Sequence, residues 1–366
     1  MRKFFLNKKK ILFGLFIFLF VISIILINTI PAIGNNLSRL AIFSTKIKLN
    51  KNVDIVNCFK MINCNFSETD YENSKEEEKS IVVNKKKEET NKKNIEAVEG
   101  KCEILRKQYK PLNNPKTINI QGNAFVKNMT SLPNSVVLQA NSEKPYFKLQ
   151  KTNEPQVLIY HTHTTECYEK EEKDKFNPQT PTRSKDFRLN VVGVGEEIVK
   201  QLQVKGIKAV HVKTIYDDPA YSGAYDRTNA MIVEQLKKHP KIKVVLDIHR
   251  DSIVNDKKQR VAPVVEINGK KTAQIMIISG CDNGTNHYKS YKKNLAFACA
   301  LQKQLEKDYK NITRPVSFKY KHYNQSLSPG ALLIEIGSQA NSKEEAHNAG
   351  MFFGSSLSNL LLKTQT

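Results

Sequence analysis

At 366 residues, 40% of them hydrophobic, the chain is long enough for one large domain with a sizeable core plus appendages. Its 58 Lys and Arg against 36 Asp and Glu give a formal net charge of +22, which favours anionic partners such as wall polymers or lipid. The aromatic residues are not interleaved with Lys as single-strand binders require, so no nucleic-acid partner is expected. The six cysteines (Cys58, Cys64, Cys102, Cys167, Cys281, Cys299) form no C-x-x-C pair, which leaves out a zinc ribbon or a redox dithiol.

Taken in chain order, residues 1–10 read as a short basic cytoplasmic tail. Residues 11–30 are an uncharged apolar run about 30 Å long as a helix, enough for a single-pass membrane anchor. Arg2, Lys3, Lys8, Lys9 and Lys10 precede it, so the positive-inside rule places everything after Pro31 outside the cell. Residues 31–114 read as an extracytoplasmic linker. Within it, residues 67–99 are almost wholly Glu, Lys, Asn and Ser, too polar to bury a core, and are expected to be a disordered tether. Residues 115–153 are expected to form a small β lead-in, with strands at 117–126 and 135–138.

From residue 154 to 366 strands and helices alternate. Strands are expected at 157–161, 207–212, 242–248 and 331–336, and a hairpin at 261–267 and 274–279 around Asn268-Gly269. Helices are expected at 190–204, 226–239, 295–309 and 343–362, the last opened by a capping box of Ser342 and Glu345. This alternation predicts an α/β domain with a mainly parallel sheet and helices on both faces.

Ligands of such sheets gather at the carboxyl ends of the strands. Three buried-type strands end in polar groups there: His161-Thr-His163-Thr-Thr-Glu166, Asp247-Ile-His249-Arg250-Asp251 and Glu335-Ile-Gly337. Histidines and carboxylates at one sheet edge are the donor set of a catalytic Zn²⁺, which takes three protein ligands and leaves a fourth position for water. The H-x-x-E spacing of His163 and Glu166, completed by the distant His249, supplies those ligands. Glu335, alone in an apolar strand, is the candidate general base, the alternative being a salt bridge to a buried cation such as Arg250. His161 is read as supporting His163, with the two able to exchange roles, and Asp247 and Asp251 as orienting ligand imidazoles.

Tyr160-His-Thr-His-Thr-Thr-Glu166, Asp247-Ile-His-Arg-Asp251 and Leu333-Ile-Glu-Ile-Gly337 resemble the signature segments of the SpoIIP (stage II sporulation protein P) family over residues 115–366. The resemblance implies an N-acetylmuramoyl-L-alanine amidase with an added peptide-cleaving activity. It also implies peptidoglycan as substrate, a role in forespore engulfment, and the partners SpoIID and SpoIIM. The last segment, with Asn341-Ser-Lys-Glu-Glu345, is also similar to zinc amidases of cell-wall turnover and to their three-layer sandwich. Their D-P-G-H-G-G turn is absent, and where they carry a ligand Glu this chain has Asp186-Phe-Arg-Leu-Asn190-Val-Val. The acidic ligand is therefore Glu166, with Asp186 in reserve. Arg250 is assigned to help Zn²⁺ stabilise the oxyanion. A metallocarboxypeptidase-like wall peptidase and a catalytically silent wall-binding scaffold are the alternatives.

Overall fold

In the computed structural model of the chain, residues 102–285 and 287–365 are described. Their strands run β1 (Cys102–Lys107), β2 (Thr117–Gln121), β3 (Ala124–Asn128), β4 (Val157–Tyr160), β5 (Lys175–Phe176), β6 (Ala209–His211), β7 (Val244–Asp251), β8 (Arg260–Ile267), β9 (Lys270–Ala273), β10 (Ile275–Gly280), β11 (Val316–Lys319) and β12 (Gly330–Ser338). Five helices accompany them: α1 (Ser135–Ser142), α2 (Val191–Val204), α3 (Ala224–Lys238), α4 (Tyr291–Asp308) and α5 (Lys343–Lys363).

An eight-stranded sheet of order β2-β3-β11-β10-β12-β7-β4-β6 forms the centre. Side chains alternate along its strands and feed two cores. Val157, Ile159, Leu246, Ile248, Leu332 and Ile334 enter the larger core with the buried faces of α2, α4 and α5. Leu158, Tyr160, Val245 and Ala331 enter a smaller one with Met231 and Ile232 of α3. Asn190 caps α2 by accepting from the Val192 N–H, and the capping box of Ser342 and Glu345 opens α5.

The expectation of a mainly parallel sheet needs correction, because the architecture is mixed. In the large sheet β10 runs antiparallel to β12 and β2 antiparallel to β3, while β12, β7, β4 and β6 are mutually parallel. A second, four-stranded sheet of order β5-β1-β8-β9 combines one parallel and two antiparallel pairings. The expected hairpin explains the difference. Asn268 (φ 51°) and Gly269 (φ 74°) make its turn, but β8 returns through β9, and after Gln274 the chain leaves as β10 for the large sheet. Residues 135–138, expected as a strand, lie in α1, where Val137 and Ala140 are buried on one side.

The single-pass anchor and its membrane localisation find no support in the structure either. No helix among the described residues is long and apolar enough to cross a membrane. Residues 11–30, on which that expectation fell, lie outside the described residues, as does the tether at 67–99.

Candidate active site

The parallel register of three strands brings the predicted polar segments to one edge. Tyr160 pairs with Asp247, Asp247 with Leu333, and His249 with Glu335. Asp247 and His249 alternate with Leu246 and Ile248, so both project to the face of the smaller core, and Glu335 does so between Ile334 and Ile336. His161 follows Tyr160 with the opposite parity and turns to the larger core, which separates the two histidines of the first segment.

There His161 is completely buried. Its Nδ1 lies 2.9 Å from the Ile248 carbonyl and its Nε2 2.9 Å from His211 Nε2. The carbonyl can only accept, so His161 donates from Nδ1, and its Nε2 accepts from His211. Burial pushes His161 down to about 4 and His211 down to about 3, so both rings are neutral near pH 7. Gly195 of α2 makes room for them, since a Cβ there would stand 2.6 Å from His211 Nε2 and 3.0 Å from His161 Cε1. His161 thus fixes the backbone next to His249.

His163, Glu166 and His249 cluster on the other side. His249 Nδ1 is 3.3 Å from Glu166 Oε2, and the His163 ring stands nearly perpendicular to that of His249 with centroids 5.3 Å apart. His249 Nε2 is also 2.8 Å from Asp247 Oδ1, an ion-pair distance but out of line for a hydrogen bond, and that nitrogen has no hydrogen-bond partner. Burial opposes charge on His249, yet Asp247 and Glu166 outweigh it and raise the imidazole well above its usual range. Burial likewise works to raise Glu166, but His249 and Arg250 hold its carboxyl far below the carboxylate range. Burial pushes His163 down to about 4, leaving a neutral ring whose Nδ1 is buried without a partner. Glu335 Oε2 is also buried without a partner, and burial together with the Asp251 charge pushes this carboxyl up to about 8.

Of the remaining predicted residues, Asp247 stands beside His249, and the others take other places. The Arg250 guanidinium donates to the carbonyls of Cys167, Asp251 and Thr182 at 3.2, 3.3 and 2.9 Å, and its backbone N–H donates to Glu166 Oε2 at 3.2 Å. Asp247 accepts from the backbone and hydroxyl of Thr162 at 2.8 and 2.6 Å. Asp251 accepts from Arg314 Nη1 at 2.8 Å. Asp186 is engaged by Arg188 at the surface, at 2.9 and 2.7 Å, and stands apart from this cluster.

Asp217, the Arg183–Tyr221 pair and Arg314 were not signalled by the sequence. Asp217, in the loop between β6 and α3, accepts from the Thr165 backbone at 3.1 Å, from the Thr165 hydroxyl at 2.6 Å and from Arg183 Nη1 at 2.5 Å. It therefore pins the turn that carries His163 and Glu166. Arg183 lies over the Tyr221 ring, 4.8 Å from its centroid, and Tyr221 stacks on His163 at 4.1 Å and 11°. Arg314 stands beside Asp251. An acidic residue in a loop without periodicity carries no sequence mark of such roles.

The donor set fits Zn²⁺ in its chemistry: a neutral imidazole with an unpartnered nitrogen, an ionised carboxylate, and a second imidazole beside it that can ligate once it gives up its proton. Among the described residues, no three His, Cys, Asp or Glu side chains stand ready-arranged around a common point. His249 is turned onto Glu166 and Asp247 instead, which is where a buried imidazole goes for its charge partners.

The family model for stage II sporulation protein P (SpoIIP) matches residues 32–358. Stage II sporulation protein P of Bacillus subtilis (strain 168) is 28% identical over 250 residues, which cover 65% of this chain and 59% of that protein. The chain thus spans about 59% of the length of that relative. Among solved structures, the amidase AmiC2 of Nostoc punctiforme aligns with 57% of this chain and 96% of its own, at 14% identity and a TM-score of 0.33. The amidase Ami1 from Mycobacterium smegmatis aligns with 58% of this chain and 100% of its own, at 12% identity and a TM-score of 0.35. On the extent of the family match, this chain belongs to the SpoIIP family.

Proposed function

We propose that the chain is a zinc-dependent N-acetylmuramoyl-L-alanine amidase that cuts peptidoglycan during sporulation, in forespore engulfment, with SpoIID and SpoIIM as partners. Family membership supports the biological setting. The observation that carries the chemistry is the meeting of His163, Glu166, His249 and Glu335 where β4, β7 and β12 end, with His163 Nδ1 and Glu335 Oε2 both buried and unpartnered.

In this reading His163, Glu166 and His249 hold the ion, Arg250 holds Glu166 through its backbone N–H, and Thr162 holds Asp247 beside His249. Bound zinc supplies Lewis-acid polarisation of the scissile carbonyl and a more acidic water. Glu335 takes the proton of the water that attacks the lactyl carbonyl. As the C–N bond to L-Ala breaks, it returns that proton to the leaving amine. Burial and the Asp251 charge raise its pKa to about 8, which favours the acid form that carries the proton to the amine.

Glu335→Gln in the full-length chain tests the assignment. It removes the proton shuttle while keeping size and shape, and release of stem peptides from purified sacculi is expected to fall by about 10²–10⁴-fold or more. Zinc content by elemental analysis is expected to stay at the wild-type level. Undiminished release would remove Glu335 from the mechanism.

A further inference from the structure

Arg314 is buried to 6% exposure, and only one end of its guanidinium is used. Nη1 donates to Asp251 Oδ2 at 2.8 Å, while Nε and Nη2 are buried without any partner. Those two nitrogens form the side-on edge of the guanidinium, whose parallel N–H bonds match the two oxygens of a carboxylate. A buried cation with that edge unmet is costly. Arg106 also has Nε and Nη2 without hydrogen bonds, but there Glu172 Oε1 lies 3.6 Å from Nε, within ion-pair distance. Among the described residues, no second carboxylate lies within ion-pair distance of Arg314.

Its position ties it to the reacting edge. The Arg314 backbone donates to the Ile275 carbonyl, Ile275 pairs with Ile336, and the next residue, Met276, pairs with Glu335. Asp251 pairs with Ser338 on the same strand as Glu335, and both Asp251 and Arg314 act electrostatically on Glu335. Tyr109, partly exposed, stands 5.9 Å from the guanidinium and is held by Gln274 through both its N–H and its carbonyl.

We infer that Arg314, aligned by Asp251 and flanked by Tyr109, is a receptor for a free carboxylate on the stem peptide of peptidoglycan, the one on the acidic residue that follows L-Ala. The inference rests on the amidase reading and adds to it a preference among stem peptides. The arginine would grip the leaving peptide on the Glu335 side of the scissile bond and set the register in which that bond meets the base.

The test uses the full-length chain and two soluble muropeptides that differ only at that acidic residue, one with the free carboxylate and one with the carboxamide. Loss of one bidentate charged contact is expected to raise KM about tenfold to a hundredfold for the carboxamide, with kcat little changed. Arg314→Lys keeps the charge but loses the edge. It is expected to raise KM for the acid to the carboxamide's value and to leave the carboxamide's KM alone. Equal KM values for the two substrates on the wild-type chain would overturn the inference. So would an Arg314→Lys chain that loses kcat equally on both, the outcome if Glu335 itself fills the edge. Should Arg314→Lys fail to fold, calorimetric titration of the wild-type chain with L-Ala-D-Glu and its amide decides, and equal affinities overturn the subsite. Tighter binding of the acid by a chain that cleaves neither substrate would keep the subsite and sink the amidase reading.

Discussion

Asp217→Ala probes whether the turn bearing His163 and Glu166 is held from outside its own segment. The Asp217 side chain is fully buried and takes two donors from Thr165 and one from Arg183. Its removal leaves the Thr165 N–H and O–H without their acceptor, at about 1–3 kcal/mol for each buried donor. Arg183 is 39% exposed, so its ion pair adds at most about 1 kcal/mol after solvent screening. The total is roughly 2–5 kcal/mol, short of a plain sum because the three contacts share one carboxylate. Urea unfolding of the full-length chain, followed by circular dichroism, reads the loss. Asp217→Asn keeps one acceptor oxygen and is expected to lose about half as much. The same variants are expected to release stem peptides more slowly, because Arg183 loses the partner that sets it over Tyr221, and Tyr221 is stacked on His163. A stability change below about 0.5 kcal/mol in Asp217→Ala, the range of ordinary surface substitutions, would refute the reasoning.

Two further outcomes concern the scaffold. His211 has a folded pKa of about 3 against about 6.5 unfolded, so its stabilisation is fully present above pH 6.5 and is lost as pH falls toward 3. Stability of the wild type relative to His211→Gln, whose amide can donate to His161 in its place, is therefore expected to be constant above pH 6.5. Below that pH it should fall by up to about 1.4 kcal/mol per unit, and a flat difference from pH 7 to 4 would contradict the neutral pair. Gly337 has φ 62°, and a Cβ there would lie 2.6 Å from Asn341 Oδ1 and 2.8 Å from Ala273 Cβ. Gly337→Ala is expected to destabilise by more than about 2 kcal/mol in the same unfolding assay, and a loss under about 1 kcal/mol would mean that the turn after Glu335 is not fixed as described.

Much of the site is legible in the sequence because it rests on two local rules. Short apolar runs such as Val157-Leu-Ile-Tyr160 become central strands, and polar residues just beyond them collect at the carboxyl edge. Parity along the strand adds a third rule that separates His161 from His249 and Glu335, and it becomes decisive only when the two faces are known. The sheet's mixed direction was not legible, since strand pairing depends on where the chain goes after Gln274 and not on the composition of β10. Residues 135–138 carry β-branched Val136 and Val137, yet they form a helix because burying Val137 and Ala140 outweighs local preference. Asp217 and Arg314 were invisible because each acts through a partner, Thr165 or Asp251, far away in the chain.

The central claim is tested most directly by the products that the zinc-loaded, full-length chain releases from purified sacculi, identified by mass spectrometry. Stem peptides with a free L-Ala amino terminus are expected, together with uncut glycan strands whose muramic acid carries a bare lactyl carboxyl. Peptides trimmed from their carboxyl ends with the muramoyl amide intact would contradict it in favour of a carboxypeptidase-like enzyme. Sacculi left whole by a zinc-loaded chain would leave a wall-binding scaffold in its place.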